Sequence, residues 1–141
     1  MMNYQQTVEY LFNATPVFEK VGASAYKEGL FNSEELDRHF HHPHRHFMTI
    51  HIAGTNGKGS CSHTIASILQ TDGYKVGLYT SPHLVDFRER IRVNGEPISE
   101  DYVVRFVEEE RSFFEPLHPS FFELTTAMAF KYFADMEVDI A

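Results

Sequence analysis

Cysteine is almost absent from this 141-residue chain, which contains only Cys61. One cysteine cannot form an intramolecular disulfide, so a disulfide-stapled secreted fold is excluded and a reducing compartment is expected. The chain also lacks a charged N-terminal segment followed by an apolar stretch, and no apolar run approaches the ~18 residues of a membrane span. These absences predict a cytoplasmic protein with no membrane partner.

Positive charge is scarce as well. Twelve Lys and Arg residues stand against twenty Asp and Glu residues, which gives a formal net charge of −8 at pH 7. This balance predicts no nucleic-acid partner, because general nucleic-acid binders neutralise phosphates with a basic surface. The hydrophobic content of 43% and the charged content of 23% are typical of a globular protein, and the length predicts one domain.

Three of the eight glycines are concentrated in one stretch, where a predicted strand at residues 47–53 meets a predicted helix at residues 60–73. Glycines let a backbone approach an anion closely, and successive N–H groups with a lysine bind phosphate. The pattern therefore predicts a site for a nucleoside triphosphate. We call this segment the glycine loop, and it consists of Gly54, Thr55, Asn56, Gly57, Lys58, Gly59 and Ser60.

The glycine loop differs from two common phosphate-binding patterns. The usual P-loop would place glycine at position 52 and a hydroxyl at position 59, where this chain has Ile52 and Gly59. The dinucleotide pattern would need glycine in place of Asn56, so that interpretation fails. The plain alternative is a glycine-rich turn that carries an exposed lysine.

Several other elements follow from local patterns. Residues 75–80 predict a second strand, parallel to the first, and Asn94-Gly95 predicts the turn of a hairpin at residues 91–98. Ser99 is a predicted N-cap, and a further helix is expected at residues 120–134. Ser33 predicts another helix start. Residues 138–141 predict a buried strand, and the apolar stripe of the helix at 60–73 is expected to cover the sheet. That stripe consists of Cys61, Ile65, Ile68 and Leu69.

Four segments together resemble one family, the folylpolyglutamate and dihydrofolate synthases of the Mur ligase superfamily. The glycine loop resembles the family's phosphate loop, and three further stretches resemble its TSPHL segment, its F-x-E-R-I segment and its F-E-x-x-T helix start. These stretches are Thr80-Ser81-Pro82-His83-Leu84, Phe87-Arg88-Glu89-Arg90-Ile91 and Phe121-Phe122-Glu123-Leu124-Thr125-Thr126.

The resemblance implies an α/β fold with a P-loop NTPase-like parallel sheet flanked by helices, the ATP-binding domain of Mur ligases. It divides the chain into a helical preface at residues 1–46 and an incomplete P-loop core at residues 47–141. Family members are about three times longer, so we expect the chain to be an N-terminal fragment that lacks the C-terminal glutamate-ligase domain.

The implied activity is ATP-dependent formation of an amide through an acyl phosphate. The expected cofactors are ATP and Mg²⁺, and the expected substrates are L-glutamate with dihydropteroate or a reduced folate. The resemblance also implies a monomer for the full-length protein. The fragment alone is expected to be inactive.

The resemblance also assigns roles to residues. It implies that Lys58 is catalytic, that the whole glycine loop binds the ATP phosphates, and that Ser81 holds the metal, because Gly59 has no hydroxyl. His83, Arg88, Phe122 and Glu123 are the candidates for substrate contacts. Plainer roles remain open: a turn for Ser81, packing beside Pro82 for His83, pairing with Glu89 for Arg88, and core packing for the aromatic rings.

Two questions stay open at this level. A folate ligase has three alternatives: another Mur-type amide ligase, a small-molecule P-loop kinase, and a non-catalytic nucleotide-binding module. A cluster of histidines also invites a metal hypothesis, but Pro43 prevents a continuous helix there, and a solvated loop is the favoured interpretation. These histidines are His39, His41, His42, His44 and His46.

Overall fold

The computed structural model describes residues 1–15 and 29–141. The sequence also predicts a loop at residues 25–28, which lies outside the described residues. The described chain divides into two compact units. We call Met1–His41 with Ser99–Met128 the helical unit, and His42–Ile98 with Ala129–Ala141 the strand unit. No helix within the described ranges is both long and apolar enough to cross a membrane.

The helical unit is built from α1 (Tyr4–Ala14), α2 (Phe31–His39), α4 (Glu100–Phe114) and the first half of α5 (Phe121–Asp135). The Tyr10 hydroxyl on α1 donates a hydrogen bond to Oε1 of Glu115, the residue that follows α4, at 2.6 Å. The buried side chains of the helices provide its hydrophobic core, which stabilises the unit through removal of apolar surface from water. They are Leu11, Leu36, Val103, Phe106, Val107, Phe114, Phe121, Leu124 and Met128.

Helix starts in this unit follow the capping rules in part. Ser99 is confirmed as the N-cap of α4, since its Oγ accepts a hydrogen bond from the Tyr102 amide at 3.1 Å. The predicted start at Ser33 is wrong. Helix α2 begins at Phe31 with Leu30 at its N-cap, so Ser33 lies inside the first turn and its side chain does not cap the helix. A serine marks a helix start only when the backbone enters the helix at that residue.

The strand unit contains α3 (Lys58–Thr71), β1 (Gly77–Tyr79), β2 (Ile91–Val93), β3 (Glu96–Pro97) and the second half of α5. Strands β1, β2 and β3 form an antiparallel sheet in that order. The turn at Asn94 and Gly95, with φ angles of 49° and 81°, confirms the predicted hairpin. Short 3₁₀ turns at Pro43–His46 and Phe87–Arg90 complete this unit.

The parallel part of the sheet is centred on the last residues of the chain. Ile140 pairs in parallel with Met48 on one side and with Val76 on the other. The Gly77 amide donates to the Ile140 carbonyl at 2.9 Å, and the Ile50 amide donates to the Ala141 carbonyl at 2.9 Å. The strand ending at 141 therefore lies between the segment at 48–50 and β1, which confirms the predicted parallel arrangement.

Two predictions for this unit need correction. The strand expected at residues 47–53 is paired only at residues 48–50 among the described residues. The stripe on α3 is not buried: Cys61 is exposed, and the Ile68 side chain retains 62% of its surface. Helical periodicity identifies the apolar face of a helix, but it does not determine how much of that face another element covers.

Candidate nucleotide-binding site

The glycine loop leads directly from the paired segment at 48–50 into α3. Gly57 is the N-cap of α3 and has φ 74°, a left-handed conformation that favours glycine. The first intrahelical hydrogen bond runs from the Cys61 amide to the Gly57 carbonyl at 3.0 Å. The amides of residues 58–60 therefore precede the hydrogen-bonded ladder, as the first N–H groups of a helix do. These amides and the positive end of the helix dipole suit an anion.

All seven residues of the glycine loop are exposed. An added Cβ would meet nothing within 4 Å at Gly57 or Gly59, so the space beside these glycines is open. The Lys58 ammonium group donates a hydrogen bond to the Gly54 carbonyl across the loop. The loop thus combines accessible backbone amides with the Lys58 ammonium group, which lies within the loop.

Ser81 follows β1 in the same way that the glycine loop follows the segment at 48–50. Both strands run parallel to the strand ending at Ala141 and flank it on opposite sides. Their carboxyl ends therefore meet at one edge of the sheet, where open α/β sheets bind their ligands. Ser81 is exposed at this edge. The topology brings its hydroxyl to the same edge as the glycine loop.

The segment after Ser81 is held by the carboxylate of Glu89. Three successive backbone amides donate to it: Leu84 at 3.1 Å, Val85 at 2.9 Å and Asp86 at 2.6 Å. These bonds, above all the one from Asp86, lower the pKa of Glu89 below its usual value of 4.5, because they stabilise the charged form. The charged carboxylate therefore fixes the backbone between Ser81 and the 3₁₀ turn.

The two arginines of this turn have different surroundings. Arg88 forms an ion pair with Asp86 at 3.1 Å and is partly exposed. Arg90 is buried, and its Nε donates to His83 Nδ1 at 2.6 Å. The ring of Phe87 meets the His83 ring edge-on, with centroids 6.2 Å apart. His83 is therefore held in place by a buried cation and an aromatic ring.

Phe122 and Glu123 belong to the helical unit. The Phe122 side chain is 63% exposed. Glu123 Oε2 accepts a hydrogen bond from the Ser120 amide at 2.9 Å, and the Ser120 Oγ accepts one from the Glu123 amide at 3.1 Å. This reciprocal pair is a capping box that starts α5. The Asn32 side chain also donates to this carboxylate at 3.2 Å.

No group of three or more His, Cys, Asp or Glu side chains within the described ranges is arranged to hold a metal ion. His39 instead stacks on Phe113 and lies 2.6 Å from Glu110 through its Nε2. His42 and His44 meet edge-on with centroids 6.3 Å apart. His39 is thus the last residue of α2 and packs on an aromatic ring, so it does not belong to the solvated loop expected here.

Comparison with known proteins identifies the family. No protein-family model matches the chain. Over 115 residues it is 43% identical to a dihydrofolate synthase/folylpolyglutamate synthase of Bacillus subtilis, covering 77% of this chain and 27% of the relative. The crystal structure of folylpolyglutamate synthase from Thermotoga maritima superposes with a TM-score of 0.85 at 44% identity, covering 98% of this chain and 32% of the other. This chain belongs to the folylpolyglutamate and dihydrofolate synthase family.

A third match is the structure of a folylpolyglutamate synthase complex with AMPPCP and folate. It has a TM-score of 0.85 at 36% identity and covers 99% of this chain and 34% of that one. The chain thus spans about a third of the length of these synthases. The superpositions confirm the predicted α/β fold of the Mur ligase type.

Two residues that organise the segment after Ser81, Glu89 and Arg90, were not predicted from the sequence to do so. Arg90 received no role of its own in the sequence pattern, yet only 5% of its surface is exposed. Glu89 was considered only as an ion-pair partner, whereas its carboxylate binds three backbone amides. The F-x-E-R-I pattern was the available signal, because both residues lie inside it.

Proposed function

We propose that this chain is the nucleotide-binding part of an ATP-dependent ligase that adds L-glutamate to dihydropteroate, to reduced folates, or to both. The observation that carries the proposal is the position of the glycine loop and Ser81 at one edge of the parallel sheet. The names of the relatives and the complex with AMPPCP and folate support ATP and a folate-type acceptor as ligands.

The proposed domain organisation follows the family resemblance. Residues 1–46 would form a helical preface and residues 47–141 part of the P-loop core. The groups that bind glutamate would belong to a second domain of a longer protein. The chain spans 27% of the Bacillus subtilis relative and 32% of the Thermotoga maritima structure, so most of each lies outside the matched part.

The proposed chemistry needs no protein nucleophile. The acceptor carboxylate attacks the γ-phosphoryl group of ATP, and ADP leaves. The amine of glutamate then attacks the carbonyl carbon of the resulting acyl phosphate, which forms the amide and releases phosphate and a proton. Catalysis then depends on positioning and on stabilisation of negative charge. Lys58 would act on the transferred phosphoryl group, and the glycine loop amides would hold the phosphate oxygens. Both are exposed at the loop.

We propose that Ser81 contributes to a magnesium site at this edge. Mg²⁺ prefers oxygen ligands, keeps several waters, and is usually bound by one or two carboxylates together with substrate phosphates. Ser81 offers an exposed hydroxyl oxygen at the carboxyl end of β1. Ser81, the nucleotide oxygens and water would thus form the ligand set. When bound, the ion would neutralise charge on the phosphates.

Four residues are proposed for the acceptor side of the reaction. The exposed ring of Phe122 can stack on a flat heterocycle. His83 and Arg88 lie on the segment that follows Ser81 and offer donors to an anionic acceptor. Glu123 already holds the start of α5, so its proposed contribution is to keep that helix start in place.

The full-length protein is proposed to be a cytoplasmic monomer that does not bind nucleic acid. The net charge of −8 supports the absence of nucleic-acid binding. Size-exclusion chromatography with light scattering tests whether the protein is a monomer. A mass near twice that of one chain would contradict the monomer.

The experiment that tests the function uses the longer parent protein with Mg-ATP and L-glutamate. Reactions with dihydropteroate and with tetrahydrofolate are run separately. Phosphate release is followed, and the products are identified by mass spectrometry. We expect one added glutamyl unit on at least one acceptor. ATP consumption without an amide product would overturn the ligase assignment, and a phosphorylated product would favour a kinase.

A further inference from the structure

The bond between Arg90 and His83 determines which nitrogen of the histidine carries a proton. Arg90 Nε lies 2.6 Å from His83 Nδ1. A guanidinium group only donates hydrogen bonds and does not lose its charge in proteins. His83 Nδ1 must therefore accept, so the neutral ring carries its single proton on Nε2.

The surroundings of this pair make the arrangement rigid. Arg90 is only 5% exposed, and a buried cation needs hydrogen-bond partners to offset its lost hydration. The edge-on contact with Phe87 fixes the plane of the His83 ring. Arg90 also belongs to the backbone that supports Ser81, because its carbonyl accepts a hydrogen bond from the Thr80 amide at 2.9 Å.

We propose that Arg90 is a positioning residue that holds His83 as an Nε2–H donor to an anionic oxygen of the substrates. The inference rests on the proposed function, which brings two such oxygens to this edge of the sheet: the terminal phosphoryl of ATP and the carboxylate of the acceptor. His83 lies two residues after Ser81 on an exposed segment and is itself only partly buried. A histidine in this position supplies a directed hydrogen bond without an additional fixed charge.

The first test measures the tautomer directly. The chain has a mass of 16.3 kDa, so two-bond ¹H–¹⁵N correlation spectra resolve its histidine rings. For His83 we expect the pattern of a neutral ring protonated at Nε2, and the Arg90→Met variant should show both tautomers. The Arg105→Gln variant is the control, since it removes the same charge from an exposed position over Tyr102. A wild-type ring protonated at Nδ1 would overturn the inference.

The second test asks whether the Nε2 proton is used. A glutamine amide nitrogen can replace Nε2, whereas an asparagine amide nitrogen lies nearer the position of Nδ1. In the parent protein we expect His83→Gln to keep its ligand affinity within about threefold and His83→Asn to lose roughly tenfold or more, as expected for a lost bond to a charged group. Equal losses in both variants would contradict the donor role.

Two separate readouts identify the anion. A larger Kd for Mg-ATP in His83→Asn would assign the contact to the phosphoryl oxygen. A larger KM for dihydropteroate with an unchanged Kd for Mg-ATP would assign it to the acceptor carboxylate. In the double variant Arg90→Met/His83→Asn, the loss should be no larger than in His83→Asn alone, because Arg90 acts through His83. A parent protein that ligates neither acceptor would overturn the proposed function, while the tautomer result would still decide the role of Arg90.

Discussion

Gly77 on β1 packs directly against the ring of Phe133 on α5. A Cβ atom added at Gly77 would lie 2.7 Å from Phe133 Cδ1 and 2.9 Å from two further carbons of the ring. Phe133 is completely buried, and protein interiors are close-packed, so a shift of the ring would disturb its neighbours. Glycine at position 77 is therefore required for the contact between the sheet and this helix.

We predict that Gly77→Ala lowers the free energy of unfolding by about 1–3 kcal/mol, the usual cost of overpacking a core. Urea unfolding followed by circular dichroism measures the change. The double variant Gly77→Ala/Phe133→Leu should lose less than the sum of the two single variants, because the smaller side chain makes room for the new methyl group. Strict additivity would show that the two residues are not in contact.

The glycine loop offers a matched pair of substitutions. Gly57 and Gly59 both have open space where a Cβ would stand, but only Gly57 has a positive φ, at 74°. Gly57→Ala should therefore destabilise the chain by about 1–2 kcal/mol through backbone strain. Gly59→Ala lies inside α3 and should be neutral or stabilising by up to about 1 kcal/mol. The measurement is the urea midpoint of each variant. A lower midpoint for Gly59→Ala than for Gly57→Ala would contradict this account.

The local features of the chain were readable from the sequence, because they depend on neighbouring residues. The turn at Asn94 and Gly95 and the cap at Ser99 need only a backbone preference and a short side chain, and both are present. The start of α3 beside Gly57 follows from the same kind of local chemistry.

The features that the sequence missed depend on tertiary packing. Arg88 and Arg90 stand two residues apart in one short turn, yet Arg88 pairs with Asp86 near the surface and Arg90 is buried against His83. No local pattern separates them, since burial is decided by elements distant in sequence. The exposure of Ile68 on α3 has the same origin, because periodicity cannot report what covers a helix face.

Glu89 should link the stability of the strand unit to pH. Its pKa in the folded chain lies below 4.5, chiefly through the bond from the Asp86 amide and then those from Leu84 and Val85. A depressed pKa stabilises the fold above the pKa of the unfolded state, and this contribution is lost as pH falls through the lower, folded value. The carboxylate is therefore fully effective at pH 7, and its contribution begins to fall below about pH 4.5.

We predict that Glu89→Gln is less stable than the wild type at pH 7 and that the difference narrows as the pH falls below 4.5. Urea midpoints at a series of pH values measure it. Glu89→Asp retains the charge with a shorter side chain, so an intermediate loss would show that reach to the three amides matters as well as charge. A difference that is constant with pH would contradict the assigned bonds.

Lys58 is the residue whose substitution should separate function from folding. Its side chain is exposed and donates to the Gly54 carbonyl, so Lys58→Ala should leave the circular dichroism spectrum and the thermal midpoint unchanged. Loss of a bond from a charged group to phosphate should weaken Mg-ATP binding by roughly 10- to 100-fold and abolish acyl phosphate formation in the parent protein. The control is Lys131→Ala, which removes the same charge from a surface pair with Asp135 and should keep full affinity. A folded Lys58→Ala protein that forms acyl phosphate at a near-normal rate would refute the catalytic role, because the loop amides alone would then be sufficient.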